Sequence, residues 1–285
     1  MKFFIALATI ISTIFAFNID ISDSTIANGK TTIIEFEKEQ NIEYKKVVLG
    51  KKIHKIYQHP LDSKKSYVLI PVSYYEKPSD KKVEVFYTEK GKQKSKIIFL
   101  RVEDGKYKKE KIQVQKSKVN PKSKEVKKRI AKEYAEAMKI YSTSTSKSQV
   151  SSKFIAPMDS KITSSFGKAR VYNNTLNGYH SGTDYRAKIG TSIHASNDGV
   201  VVLVKDRFYS GGTVILDHGH GIYTCYYHMS DFSVKNGQKI KKADIIGLSG
   251  DSGRVTGPHL HFSARVGGEQ VDPLQLIELL NRKLF

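Results

Sequence analysis

The sequence predicts a mostly β protein in two parts, a small β-sandwich-like domain first and a glycine-rich β unit second, joined by one amphipathic helix. Three features carry that expectation. Short β-branched and aromatic runs separated by turn residues fill both parts. Between them, apolar residues recur at nearly helical spacing from Val126 to Tyr141, and a Ser/Thr-rich stretch follows. With 285 residues the chain has roughly two average domains' worth of sequence.

The first residues, MKFFIALATIISTIFAFNID, carry Lys2, an apolar run from Phe3 to Ala16, and polar sequence from Asn18. That is the shape of a signal peptide cleaved near Ala16, so residues 1–16 are expected to be removed from an exported protein. An uncleaved anchor is the alternative, although the run is shorter than the about 20 residues of a full span. The segment contains no cysteine for lipid attachment, and no second hydrophobic span follows it, so a soluble mature protein is expected.

Residues 17–119 form the expected N-terminal β domain. TTIIEFE, SYVLIPV, KKVEVFYTE, SKIIFLRVE and EKIQVQ are strand-like and separated by Gly, Pro, Asp or Ser. His54 and His59 have no acidic or cysteine partner at metal-ligand spacing and read as ordinary polar residues. Residues 120–152 hold the helix and a linker. Asn120 and Pro121 look like a cap and first helical position. Val126, Ile130, Tyr134, Met138 and Tyr141 form one face, suited to packing on a domain or lying on a membrane. STSTSKSQVSSK then reads as a flexible tether.

The formal charge is +20, from 40 lysines and 8 arginines among the basic residues. Such a balance indicates a diffuse basic surface more than bidentate phosphate readout. The excess lies in the first half, with 31 basic and 17 acidic residues between Phe17 and Val150. For an exported protein, nucleic acid is an unsuitable partner; an anionic wall or membrane surface suits the basic half, and simple solvation explains it equally well. The lone Cys225 can form no internal disulfide and reads as a buried thiol.

Residues 153–285 are again strand-like, in GVVVLVKD, GGTVILDHG, GIYTCYYHMS, ADIIGLSG and PHLHFSARV, with a short terminal helix suggested by Leu274, Ile277, Leu280 and Leu284. In GPHLHF, His259 and His261 share one side of a strand while Leu260 faces the other. Two imidazoles on one face suit a metal, and a catalytic zinc takes three protein ligands plus water. GYHSGTD adds His180 and Asp184, four apart in a turn-rich stretch. The pair His218 and His220 in DHGHG is explained by a hairpin turn without a ligand role.

Taken in order, SSFGKAR, YHSGTDYRA, GTSIHASNDGVV, LDHGHGIYTCYYHMS, KKADIIGLSGDSGRVTGPHLHF and VDPL resemble the lysostaphin/LytM-type zinc metallopeptidases over about Ile155 to Pro273. The resemblance implies a LytM-type peptidase domain that cuts peptidoglycan peptides, with His180, Asp184 and His261 as zinc ligands and His228 and His259 as catalytic residues just outside them. Two departures stand out: YYHMS replaces the commoner YAHLS, and Ser263 follows HLHF where an acid is frequent.

There is no HExxH glutamate, so proton transfer falls to imidazole. The implied activity is that of a periplasmic D,D-endopeptidase acting on stem-peptide cross-links in wall growth and shaping, with D,D-carboxypeptidase activity as an addition. The alternatives are a glycine-bridge endopeptidase and a non-catalytic module that activates wall amidases. A latent form is also expected, with Asn173, Asn174 or an acid from the first domain as the blocker.

Overall fold

A computed structural model of the chain describes residues 19–119, 121–174 and 176–285. The expected signal segment and the expected cap Asn120 lie outside the described residues. The first ten strands are β1 (Ile19–Ile21), β2 (Thr25–Ala27), β3 (Thr31–Glu37), β4 (Ile42–Leu49), β5 (Lys52–His54), β6 (Tyr57–Gln58), β7 (Lys65–Pro71), β8 (Ser79–Glu89), β9 (Lys92–Glu103) and β10 (Lys109–Ile112). Nine of them make two sheets, in the orders β1-β3-β7-β6 and β2-β9-β8-β4-β5. Alternation explains the second sheet: in β8, Val83 and Val85 turn inward while Lys82 and Glu84 turn out. Ile34, Phe36, Val68 and Ile70 of the first sheet meet Val47, Val83, Val85 and Leu100 of the second in one core. This is the small sandwich the sequence predicts.

The run at Tyr67–Pro71 is buried without interruption because both faces of its sheet are covered. Val68 and Ile70 face the sandwich core. Tyr67 and Leu69, with Ile33 of β3, instead join a cluster containing Phe154, Ile222, Val266, Leu276 and Leu280 from the C-terminal half. The first sheet is thus the middle layer between two cores.

The helix α1 (Lys124–Tyr141) starts three residues later than Pro121, because Ser123 is its N-cap and accepts a hydrogen bond from the Val126 amide. Its buried stripe is also rotated from the expected one. Glu133, Ala137 and Tyr141 are buried, whereas Tyr134 is 65% exposed. Glu133 is drawn inward by polar partners: Arg129 Nε donates to it at 2.6 Å and the Phe208 amide at 2.9 Å. The Ser/Thr-rich stretch after the helix is held rather than free, since the Gln149 amide donates to His218 O at 2.9 Å and the His220 amide to Thr145 O at 3.0 Å.

The C-terminal half contains β11 (Ile162–Ser164), β12 (Ala169–Tyr172), β13 (Leu176–Tyr179), β14 (Thr183–Arg186), β15 (Ser192–His194), β16 (Gly199–Arg207), β17 (Gly211–Asp217), β18 (Ile222–Phe232), β19 (Lys239–Ile240), β20 (Ile245–Ser249), β21 (His259–Val266), β22 (Glu269–Val271) and α2 (Pro273–Lys283). The main sheet runs β11-β14-β21-β18-β17-β16-β19. β10 leaves the sandwich to pair in parallel with β12, in a small sheet ordered β10-β12-β13. α2 begins where expected of a proline-led helix: the Asp272 carboxylate accepts from the amides of Leu274 and Gln275, and Pro273 occupies the first turn. No described helix is long and apolar enough to cross a membrane.

Candidate metal centre

The site is built where β14 and β21 lie side by side toward the β11 end of the main sheet. Their antiparallel register sets Asp184 opposite His261 and Arg186 opposite His259. His180 sits just before β14, in the turn made by Ser181 and Gly182. The spacing expected from the sequence is observed: Leu260 is wholly buried in the core, and His259 and His261 both turn toward Asp184. Gly182 is required by this crowding, since a Cβ there would lie 2.3 Å from Phe262 O and 2.7 Å from His261 Nε2.

Three atoms converge. Asp184 Oδ1 lies 2.8 Å from both His180 Nε2 and His261 Nδ1, and those two nitrogens are 3.0 Å apart. The three residues are all buried and form a group that could hold a metal ion. Two imidazoles and a carboxylate are a donor set that suits a divalent cation. His180 Nδ1–H donates to Ser165 O at 2.7 Å, which leaves Nε2 as the lone-pair atom toward Asp184. Burial favours an uncharged Asp184, but the adjoining imidazoles of His180 and His261 outweigh it and hold the carboxyl well below the usual carboxylate range. Burial pushes the His261 imidazole down to about 4, so it is neutral at pH 7.

Two further imidazoles stand beside this group. His259 Nε2 is 3.7 Å from Asp184 Oδ1, and its Nδ1–H donates to Gly257 O at 2.8 Å. His228 Nδ1–H donates to Ser252 O at 2.8 Å, and the His228 and His259 rings are 4.8 Å apart. In both, the carbonyl bond fixes the tautomer and leaves Nε2 as acceptor. Burial, followed by the neighbouring His259 and His261, lowers the His228 imidazole well below its ordinary value. His228 also has φ of +63°, beside irregular pairing in β18. A non-glycine residue held there is strained, and such strain concentrates at functional positions.

The structure therefore gathers His180, Asp184, His261, His228 and His259 in one place. It keeps His218 and His220 elsewhere. His218 Nδ1–H donates to Asp198 O, and His220 contacts Tyr67 and Ser146, so the hairpin explanation of that pair fits its surroundings. His54 and His59 lie in the N-terminal half, away from the site. Cys225 is buried and free. Asn173 does not enter the site: its carboxamide bonds both the amide and the carbonyl of Val114.

One neighbour has no spacing signal in the sequence. Arg170 Nη2 donates to Asp184 Oδ2 at 3.2 Å, and its partner Glu110 comes from the other half of the chain. The cleft beside Asp184 and His259 has a volume of about 570 Å³ and is walled by β10 and by Thr256 to Pro258. A second groove of about 600 Å³ runs past Ser181, Tyr227 and Ser210 along α1.

Comparison with known proteins gives a consistent picture. Residues 178–273 match the profile of Peptidase family M23. The chain is 43% identical over 122 residues to the peptidoglycan DD-endopeptidase ShyA of Vibrio cholerae, covering 42% of this chain and 28% of that protein. It is 40% identical over 97 residues to the DD-carboxypeptidase/endopeptidase Mpg of Neisseria meningitidis, covering 34% and 22%. The matched stretch thus spans about a quarter of these relatives' length. A crystal structure from Pseudomonas aeruginosa, named for peptidase M23, shares the fold over 88% of this chain and 94% of its own, with a TM-score of 0.66 and 23% identity.

Proposed function

We infer that this chain, whose C-terminal half carries a peptidase family M23 domain, is a zinc-dependent peptidoglycan hydrolase that cuts D,D cross-links between stem peptides. The observation that supports this most directly is the convergence of His180, Asp184 and His261 on one point, with the imidazoles of His228 and His259 beside it. Two imidazoles and one carboxylate are a donor set that zinc favours for catalysis. ShyA and Mpg are named for D,D activity. We read this chain the same way, with wall peptides as substrate, action outside the cytoplasm in the periplasm, and D,D-carboxypeptidase activity on monomeric stems as an accompaniment.

The chemistry then divides among residues. His180, Asp184 and His261 would hold a zinc ion, which would supply Lewis acidity there. No glutamate base lies in an HExxH motif, so His228 and His259 move the protons. His228, kept neutral by burial, is suited to accept a proton from the attacking water. Either imidazole, once protonated, becomes a donor to the developing oxyanion or to the leaving amine. Gly257 O and Ser252 O hold the two rings so that each presents Nε2, which keeps the reacting atoms in reach without reorganisation.

Zinc content and digestion of diaminopimelate-type sacculi test this reading together. Wild-type protein should carry one zinc and reduce crosslinked dimers. His261→Ala should lose zinc and activity, whereas His228→Ala should keep zinc and lose at least about a hundredfold in turnover, the scale of acid–base catalysis. Retained activity in both variants would sink the assignment. Activity only on glycine-bridged wall would shift the substrate to the glycine cross-bridge, and zinc binding without cleavage of either wall would favour the non-catalytic module.

A further inference from the structure

The strand β10 crosses from the N-terminal sandwich to the C-terminal half and pairs with β12 so that Glu110 stands beside Arg170. The Glu110 carboxylate accepts from Arg170 Nε at 3.1 Å and meets Lys168 Nζ at 3.5 Å. The far end of the same guanidinium, Nη2, donates to Asp184 Oδ2 at 3.2 Å and to Ser164 Oγ at 3.2 Å. Arg170 is largely buried, with 13% of its side chain exposed. The two Asp184 oxygens are therefore used differently. Oδ1 faces His180 and His261, and Oδ2 is bound by Arg170.

We propose that Glu110 is a positioning residue of the metal centre, acting through Arg170 on Asp184, so that a strand from the N-terminal half completes the site. This rests on the reading of His180, Asp184 and His261 as metal ligands. Two physical effects act in the same direction. An arginine fork is planar and rigid, so Glu110, by holding the Nε end, sets where the Nη2 end points, which keeps Oδ2 occupied and Oδ1 turned to the ligand group. In addition, an arginine cation this close opposes a divalent ion, and the Glu110 carboxylate offsets it in a largely dry setting. Partners that orient ligands from behind typically change metal affinity by about 10–100-fold when removed.

The test is Zn²⁺ affinity of the full chain, measured by competition with a chromophoric chelator, for wild type, Glu110→Ala, Glu110→Gln, Arg170→Ala and the Glu110→Ala/Arg170→Ala double variant. Glu110→Ala should bind Zn²⁺ about tenfold more weakly, Glu110→Gln less so because it keeps an acceptor for Arg170 Nε, and the metal-free melting temperature should barely change. In the Arg170→Ala background the Glu110→Ala effect should vanish, since the intermediary is gone. Wild-type affinity in Glu110→Ala overturns the proposal, as does an undiminished Glu110 effect without Arg170. A fall in metal-free melting temperature with unchanged affinity would show that Glu110 only docks β10. If wild type itself takes up no Zn²⁺, the metal reading fails with it. Should Glu110→Ala not fold, Glu110→Gln carries the same comparison.

Discussion

At the scale of single residues, the site's histidines and Asp184 were legible because their chemistry is rare and their spacing is periodic. His259 and His261 alternate with Leu260 as any exposed-inward strand must, and the structure turns both imidazoles toward Asp184. What sequence could not show is the packing that aims them. Gly182 is one such residue: its missing side chain is what lets Phe262 O and His261 Nε2 approach. Gly182→Ala should displace His261 and lower Zn²⁺ affinity at least about tenfold, with little effect on far-ultraviolet circular dichroism. Affinity equal to wild type would mean that the loop yields and that this glycine serves only the turn. Arg170 and Glu110 were invisible for a related reason, being 60 positions apart and joined only by a parallel pairing that no local pattern announces.

At the scale of elements, strands and helices were predicted where local periodicity decides, and misread where a tertiary partner overrides it. The stripe Val126, Ile130, Tyr134, Met138 and Tyr141 places α1 correctly and misses its inward face only by a small rotation, with Tyr134 alone left exposed. The buried positions are Glu133, Ala137 and Tyr141, because an acid bonded on two sides is cheaper to bury than its sequence neighbours suggest. Glu133, braced by Arg129 one turn earlier in the same helix, fastens α1 to the loop after β16 through the Phe208 amide, and its own carbonyl accepts from Arg207 Nη2 at 2.7 Å. Removing it as Glu133→Ala leaves a largely buried amide without its acceptor and should cost about 1–3 kcal/mol of stability. Urea unfolding measures this; a change below about 0.5 kcal/mol would mean that water replaces the carboxylate and that the helix is held by Ala137 and Tyr141 alone. The Ser/Thr-rich segment departs from expectation for the same reason: its composition is that of a tether, but its backbone bonds that of His218 and His220.

At the scale of the whole molecule, the first sheet of the sandwich serves two cores, and the second of these runs into the C-terminal half. Ile33, Tyr67 and Leu69 share it with Phe154, Leu276 and Leu280, and the Phe154 ring lies 5.2 Å from His218. A buried neutral histidine at such a junction makes the stability of the chain depend on acid. Burial pushes the His218 imidazole down to about 4, with its bond to Asp198 O only partly offsetting that. Between this value and the ordinary one near 6.5, the unfolded chain binds a proton at His218 that the folded chain does not. Stability from this residue is therefore present above about pH 6.5 and lost as pH falls toward 4, to the extent of about 2–3 kcal/mol between pH 7.5 and 4.5. His218→Asn, which cannot titrate, should lose correspondingly less stability over that interval when both proteins are unfolded in urea with chelator present. Equal losses in the two proteins would mean that His218 is protonated without penalty, and the acid sensitivity would then have to come from other buried groups such as His54, which burial also pushes down to about 4.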